Sequence, residues 1–315
     1  MNLNARASRL VEALVGLAQE RRVAAHSVER GGRFIDCGIA VHGGLAAGLD
    51  LARICMSGLA EIRMIPGDVA GVACAVVSVA TDHPVAACLA SQYAGWAIQE
   101  EKFFAMGSGP MRAAAGKEPL YDAIGFRESP TEVVGVLEGR KPPTPAVVAK
   151  VAAACRVAPS AVTLLAAPTA SLAGTLQVVA RSVETALHKL HELKFDVSRV
   201  RSASGSAPLP PQAKSDLAAI GRTNDSILYG ARVVLHVTGD DDSLKEIGPK
   251  VPSSSSKDHG APFAEIFARY KNDFYAVDPH LFSPAEVVLQ NVDTGHAFAF
   301  GAVDHAVLRR SFYGL

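Results

Sequence analysis

The stretch that most constrains this chain runs from Leu164 to Leu193, LLAAPTASLAGTLQVVARSVETALHKLHEL, with no charged residue between Leu164 and Ala180. It reads as a strand end, a Pro-Thr-Ala-Ser turn whose hydroxyls can cap, and one long helix. At about 100° per residue, Leu172, Leu176, Val179, Val183, Leu187 and Leu190 share an apolar side. Gln177, Arg181, Glu184, His188 and His191 share another. Arg181 and Glu184 stand three apart and are neighbours on a helix. A solvated stripe with a weak ion pair is one reading. The other starts from the uncharged run before them. An acid and an arginine that are the first charges a buried helix meets sit at the core's edge, where ionised groups are costly unless used.

The 315 residues are 49% hydrophobic, enough for a large core and for two domains. Lys and Arg number 31, as do Asp and Glu, so no charge surplus points to nucleic acid or to an anionic membrane. Cys37, Cys55, Cys74, Cys88 and Cys155 are scattered and form no Cys-x-x-Cys pair, which argues against a disulfide framework or a cysteine zinc site. The charged amphipathic start lacks a signal peptide's apolar core, and the longest apolar run, Val69 to Ala80, is too short to cross a bilayer. The expectation is a soluble, cytoplasmic protein.

Strands and helices alternate without an internal repeat, which places the fold in a mixed α/β class with α+β character. The expected domains are 1–130, which C-terminal elements can join, and 131–315. Helices are expected at about 7–20, 43–56, 85–97, 144–156, 215–221 and 261–270. Val69 to Ala80 reads as a strand buried on both faces, with helices packed on it. Val133 to Leu137, the helix at 144–156 and Ala161 to Ala166 form a β-α-β unit. Residues 201–214 read as a linker rich in Ser, Pro and Gly, and 239–260 as a mobile surface insertion. Asp293-Thr294-Gly295 signals a hairpin.

Four places could carry chemistry, each beside a plainer reading. Thr81-Asp82-His83-Pro84 ends a strand, where α/β proteins bind ligands, although Asp82 and Pro84 also suit a helix start. Gly107-Ser108-Gly109 can cradle an anion or form a tight turn, and it lacks the nucleophile-elbow pattern. Gly221 to Ser226 is a polar cluster that reads as a turn or as one end of a ligand pocket. Glu184, His188 and His191 stand at i, i+4 and i+7, a metal-ligand spacing without the usual signature. Histidines near a helix C-terminus are equally explained by its dipole.

Taken together, TDHPVAACLASQYAGW, KFFAMGSGPMRA, APTASLAGTLQVVARSVETA, GRTNDSILYG and DFYAVDPHLFSPAEV resemble methenyltetrahydromethanopterin cyclohydrolase, from Cys37 to about Phe282. The resemblance implies two α/β domains facing each other across a pocket. It implies a homo-oligomer, a trimer in the archaeal enzymes, with no metal and no separate cofactor because the pterin is the substrate. Tyr93 stands where the archaeal pattern has lysine. The implied catalytic pair is Glu184 and Arg181. The matched motifs offer Asp82, His83, Gln92, Ser108, Gly109, Thr169, Ser171, Asn224 and Asp225 for the substrate. Adding water to an amidinium carbon needs a carboxylate that stabilises the cation and takes a proton, and an adjacent arginine keeps such a carboxylate ionised. A metal-dependent amidohydrolase using Glu184, His188 and His191, and a non-catalytic pterin-binding protein, are the alternatives.

Overall fold

The computed structural model describes residues 1–315, the side chain of Tyr275 excepted. Twelve strands form two six-stranded sheets. In chain order the strands are β1 (Ala24–Ser27), β2 (Arg33–Asp36), β3 (Glu61–Val69), β4 (Val72–Thr81), β5 (Trp96–Glu100) and β6 (Phe103–Ser108). They continue with β7 (Val133–Glu138), β8 (Val162–Ala167), β9 (Val200–Pro208), β10 (Arg232–Val237), β11 (Glu286–Asn291) and β12 (Ala297–Gly301). The α-helices of the first half are α1 (Leu3–Gly16), α2 (Ala18–Arg21), α3 (Leu45–Cys55), α4 (Met111–Ala115), α5 (Leu120–Ile124), α6 (Pro145–Cys155) and α7 (Leu172–Val179). Those of the second are α8 (Ser182–Glu192), α9 (Asp216–Leu228), α10 (Asp241–Ile247), α11 (Phe263–Arg269) and α12 (His305–Tyr313).

The mixed α/β class is as expected. Residues Met1–Ala60 with Ala86–Gln177 form one compact unit, and Glu61–Val85 with Val178–Leu315 form the other. In the first unit the strand order is β1-β2-β8-β7-β6-β5, with β2, β8 and β7 parallel. The expected β-α-β unit is β7-α6-β8, in register from Val133 opposite Val162. Thr144 caps α6 by accepting from the Val147 N–H, and Pro145 fills its first turn. Alternate side chains of the parallel strands enter two separate apolar cores. Phe34, Val133, Leu137 and Leu164 meet residues of α4 and α6 on one face. Ile35, Val134, Val136 and Leu165 meet α1 and α3 on the other. Burial of both faces is what a parallel sheet requires.

In the second unit the order is β12-β11-β10-β9-β4-β3, with only β10 and β11 parallel. Here the sequence expectations need correction. β4 lies between antiparallel neighbours β3 and β9, with Val77 and Val79 buried while Val72, Cys74 and Val76 are half-exposed. It is therefore not covered on both faces, which an antiparallel sheet tolerates. The expected linker at 201–214 is mostly β9, flanked by β4 and β10. Its Ala203, Gly205 and Ala207 are buried while Ser202, Ser204 and Ser206 are half-exposed, a period-2 pattern written in small residues. The expected insertion at 239–260 is ordered. Asp240 caps α10 by accepting from the Ser243 N–H, and Val251 and Ser253 are fully buried. On one side of this unit Leu228, Phe263, Ile266, Leu281, Leu308 and Phe312 form the core, drawing in α12, which sequence reading did not anticipate.

Two helix expectations also change. The helix expected at 85–97 is a π-helix, Val85–Gln92, after which the chain turns into β5. The single helix expected after Ser171 is broken at Ala180 and Arg181 into α7 and α8. At the break the Arg181 N–H donates to the Val178 carbonyl, a tightened i−3 bond. Thr185 Oγ1 donates back to the carbonyls of Arg181 and Ser182. Consecutive β-branched residues and hydroxyl side chains that bond the backbone weaken a helix at this point.

Candidate active site

The break gives Arg181 and Glu184 positions that the regular periodicity did not anticipate. Arg181 becomes the N-cap of α8, and Glu184 lies in its first turn. Gln177 belongs to α7 and so does not continue the stripe. The free N–H groups and the dipole of a helix start favour a carboxylate at Glu184. Arg181 is 6% exposed and Glu184 4%, so both are held out of bulk water, and the solvated-stripe reading fails. Neither is without a partner.

The first turn of α8 lies close against the sheet of its unit. A Cβ on Gly205 would stand 2.6 Å from Ser182 Oγ and 3.0 Å from Val183 Cγ2. Further along, the buried Lys189 ties α8 down, its Nζ donating to the His280 carbonyl at 2.6 Å and to Ser255 Oγ at 3.1 Å. Burial pushes the Lys189 amine down to about 8, against the pull of Asp278. Glu184 is thus carried by a helix clamped at both ends. Gly205→Val should lower stability by about 1–3 kcal/mol through overpacking and reduce turnover in the molecules that remain folded. Urea denaturation with rates per folded molecule checks this, and unchanged values in both would show that α8 can retreat freely.

The other predicted residues divide into four groups. Asp82 and His83 are exposed at the end of β4. Asp82 accepts from Ser202 Oγ at 2.7 Å, and the His83 N–H donates to Thr81 Oγ1. Gln92, Ser108 and Gly109 are brought together in the first unit. Cys55 Sγ approaches Ser108 Oγ at 3.3 Å and the Gln92 carbonyl at 3.9 Å, while the Gly109 N–H donates to the Ser91 carbonyl at 2.9 Å. Ser108 is fully buried, and its hydroxyl donates to the Val136 carbonyl. Gly109, at φ +87°, adopts a backbone conformation that side-chain-bearing residues avoid. Thr169 and Ser171 shape the turn into α7. Ser171 Oγ donates to the Pro168 carbonyl and accepts from the Gly174 N–H, while Thr175 Oγ1 donates to the Thr169 carbonyl.

The cluster Gly221–Ser226, expected as a loop, lies inside α9. Thr223 and Asn224 donate to carbonyls four residues back, at Ala219 and Ile220, which reconciles them with a helix interior. Asp225 is fully buried, accepting from the Phe263 N–H at 2.7 Å and from Ser311 Oγ at 2.6 Å, and so ties α9 to α11 and α12.

Sequence reading passed over the polar groups at the carboxyl ends of the parallel strands, the usual ligand edge of such sheets. Asp36, ending β2, accepts from the N–H groups of Gly38, Ile39 and Ala40. Glu138, ending β7, accepts from Gln177 Nε2 at 3.0 Å. An acid closing an otherwise apolar strand was the available signal.

His188 Nε2 lies 3.8 Å from Glu192 Oε1, the next turn of its own helix. No group of three or more His, Cys, Asp or Glu side chains able to hold a metal occurs among the described residues. No helix among them is long and apolar enough to cross a membrane.

A buried carboxylate at a helix start, one turn from an arginine and carried by a mixed α/β scaffold, has the parts needed for acid–base chemistry on a bound cation. A sequence-family model described as Cyclohydrolase (MCH) matches residues 2–312. The chain is 49% identical over 287 residues to methenyltetrahydromethanopterin cyclohydrolase of Rhodopirellula baltica, covering 90% of this chain and 86% of that one. It is 45% identical over 315 residues to the protein of that name from Methylobacterium sp. (strain 4-46), covering 99% and 97%. Against the Methanosphaerula palustris protein of the same name identity is 40% over 313 residues, 99% of each chain. The chain belongs to this cyclohydrolase family.

Proposed function

We propose that this chain catalyses the reversible hydrolysis of 5,10-methenyltetrahydromethanopterin to the 5-formyl compound in one-carbon metabolism, the oxidation of formaldehyde, in the cytoplasm. The observation that carries the mechanism is the burial of Arg181 and Glu184 one turn apart at the start of α8. Water attacks the bridging amidinium carbon while Glu184 takes one of its protons. The carbon–N10 bond of the resulting adduct then breaks, N10 receives that proton, and the hydroxyl proton leaves to solvent as the formyl oxygen forms. One proton is released overall, which balances the loss of the substrate's positive charge. Arg181 orients the carboxylate and keeps it ionised.

The residues that the family motifs offer as contacts to the pterin and its tail are Gln92, Gly109, Thr169, Ser171, Asp82, His83 and Asn224. Ser108 and Asp225 serve these segments from within, since their side chains are engaged in the fold. The reading needs no metal and no cofactor besides the pterin. Family resemblance supports a homo-oligomer, a trimer, and sedimentation at about three times the 32.9 kDa chain mass tests it.

The direct test is the loss of methenyl absorbance with purified protein, run against the folate analogue. No turnover of the methanopterin derivative would overturn the proposal. Arg181→Lys should lower kcat/KM by about tenfold or more although the charge is kept, because a planar fork and a point charge orient a carboxylate differently. A rate equal to the wild type would reduce Arg181 to a charge in the wall.

A further inference from the structure

The π-helix Val85–Gln92 follows directly on Thr81-Asp82-His83-Pro84 and ends at Gln92. π-Helical turns are rare and recur at functional sites, and the last carbonyls of any helix need partners from outside it. Here side chains distant in sequence supply them. Arg112 Nη1 donates to the Leu89 carbonyl at 3.2 Å and to the Ser91 carbonyl at 3.3 Å. Tyr121 OH donates to the Ala90 carbonyl at 2.9 Å, and Cys55 Sγ faces that of Gln92. Burial pushes the Tyr121 phenol up, so it stays a donor.

Arg112 is wholly buried, and its other edge forms a bidentate pair with Glu118, Nε to Oε1 at 2.9 Å and Nη2 to Oε2. Its guanidinium carbon lies 4.9 Å from the centre of the Tyr93 ring and 5.5 Å from that of Tyr121. A Cβ on Gly95 would come within 2.3 Å of Glu118 Oε2 and 2.6 Å of the Tyr93 ring, so this position is kept clear for the pair. Buried ion pairs rarely stabilise a fold better than apolar side chains of equal size. A guanidinium with two carbonyls on one side and a carboxylate on the other fixes geometry instead, and no lysine can do the same.

We propose that Arg112 is a positioning residue for the cyclohydrolase reaction, holding the last turn of the π-helix, and with it the fully buried Gln92, in the geometry that substrate binding requires. The inference rests on the proposed reaction. Displacement of a substrate contact by about 1 Å can cost about a hundredfold in efficiency, so the effect is measurable.

The test compares Arg112→Lys, Gln92→Ala and the double variant, with KM and kcat measured per folded molecule. Arg112→Lys is expected to raise KM about tenfold or more, and the double variant to be no worse than the worse single one. Gly95→Ala, which crowds Glu118 without removing a charge, should raise KM in the same direction. A lower melting temperature with KM and kcat unchanged would make Arg112 purely structural and overturn the proposal, as would additive losses in the double variant. If Arg112→Lys does not fold, Gly95→Ala decides, and an unchanged KM overturns it. Wild-type protein without turnover would defeat the proposed reaction, and this inference with it, before any variant is made.

Discussion

Glu184→Gln is expected to give a folded protein that consumes the methenyl pterin about 10²- to 10⁴-fold more slowly, the usual contribution of a positioned general base. Glutamine keeps the size and hydrogen-bonding reach of the side chain and removes only the charge and the basic site. The helix that carries it should hold its place, because Lys189 and the close approach at Gly205 anchor α8 independently of residue 184. Stopped-flow absorbance of the methenyl chromophore, with circular dichroism as the folding control, makes the measurement. A folded Gln variant with near wild-type kcat would remove Glu184 from the chemistry, whatever the family assignment.

The second large effect concerns stability against pH. Asp225 is fully buried, and burial pushes its carboxyl up to about 7 from the ordinary 3.8. Glu265 adds to the rise, while the bonds from Ser311 and Phe263 and the charge of Arg310 oppose it. Between about pH 4 and pH 7 the folded protein therefore holds a proton that the unfolded chain has lost. Stability from this group is fully present below the unfolded value and is lost as pH rises through 7. At about 1.4 kcal/mol per pH unit, the loss is on the order of 4 kcal/mol. Asp225→Asn should abolish this dependence, since an amide can still accept from the Phe263 N–H and donate to Ser311 Oγ. Urea midpoints at pH 5.5 and pH 8 are expected to diverge for the wild type and to coincide for the variant. The same slope in both proteins would show that another group titrates.

The legible parts of the fold were those whose pattern is local. The β7-α6-β8 unit could be read because Thr144 and Pro145 mark a helix start between two apolar runs. The hairpin at Asp293-Thr294-Gly295 could be read from its turn residues, and β11 and β12 pair around it. β9 was misread because serine, glycine and alanine resemble a linker by composition, and only the close packing of α8 explains why small residues are needed there. The cluster at 221–226 was misread for a related reason. Thr223 and Asn224 favour turns unless the helix's own carbonyls satisfy them, as they do in α9.

For the candidate site, the sequence alone determined the membership of the set: an arginine and a glutamate three apart after a long uncharged run, and the motifs that carry the family. Their placement was decided by tertiary structure. The break at Ala180–Arg181 converts a helix face into a helix start, and periodicity cannot foresee it because it assumes that the helix continues. The bonds that gather Arg112, Glu118 and Tyr121 around the end of the π-helix join residues up to 31 positions apart, and in the second unit the bond from Lys189 to His280 spans 91. Side chains so distant in sequence meet only when the sheets form, and that meeting, more than local preference, determines which polar groups lie buried and in use.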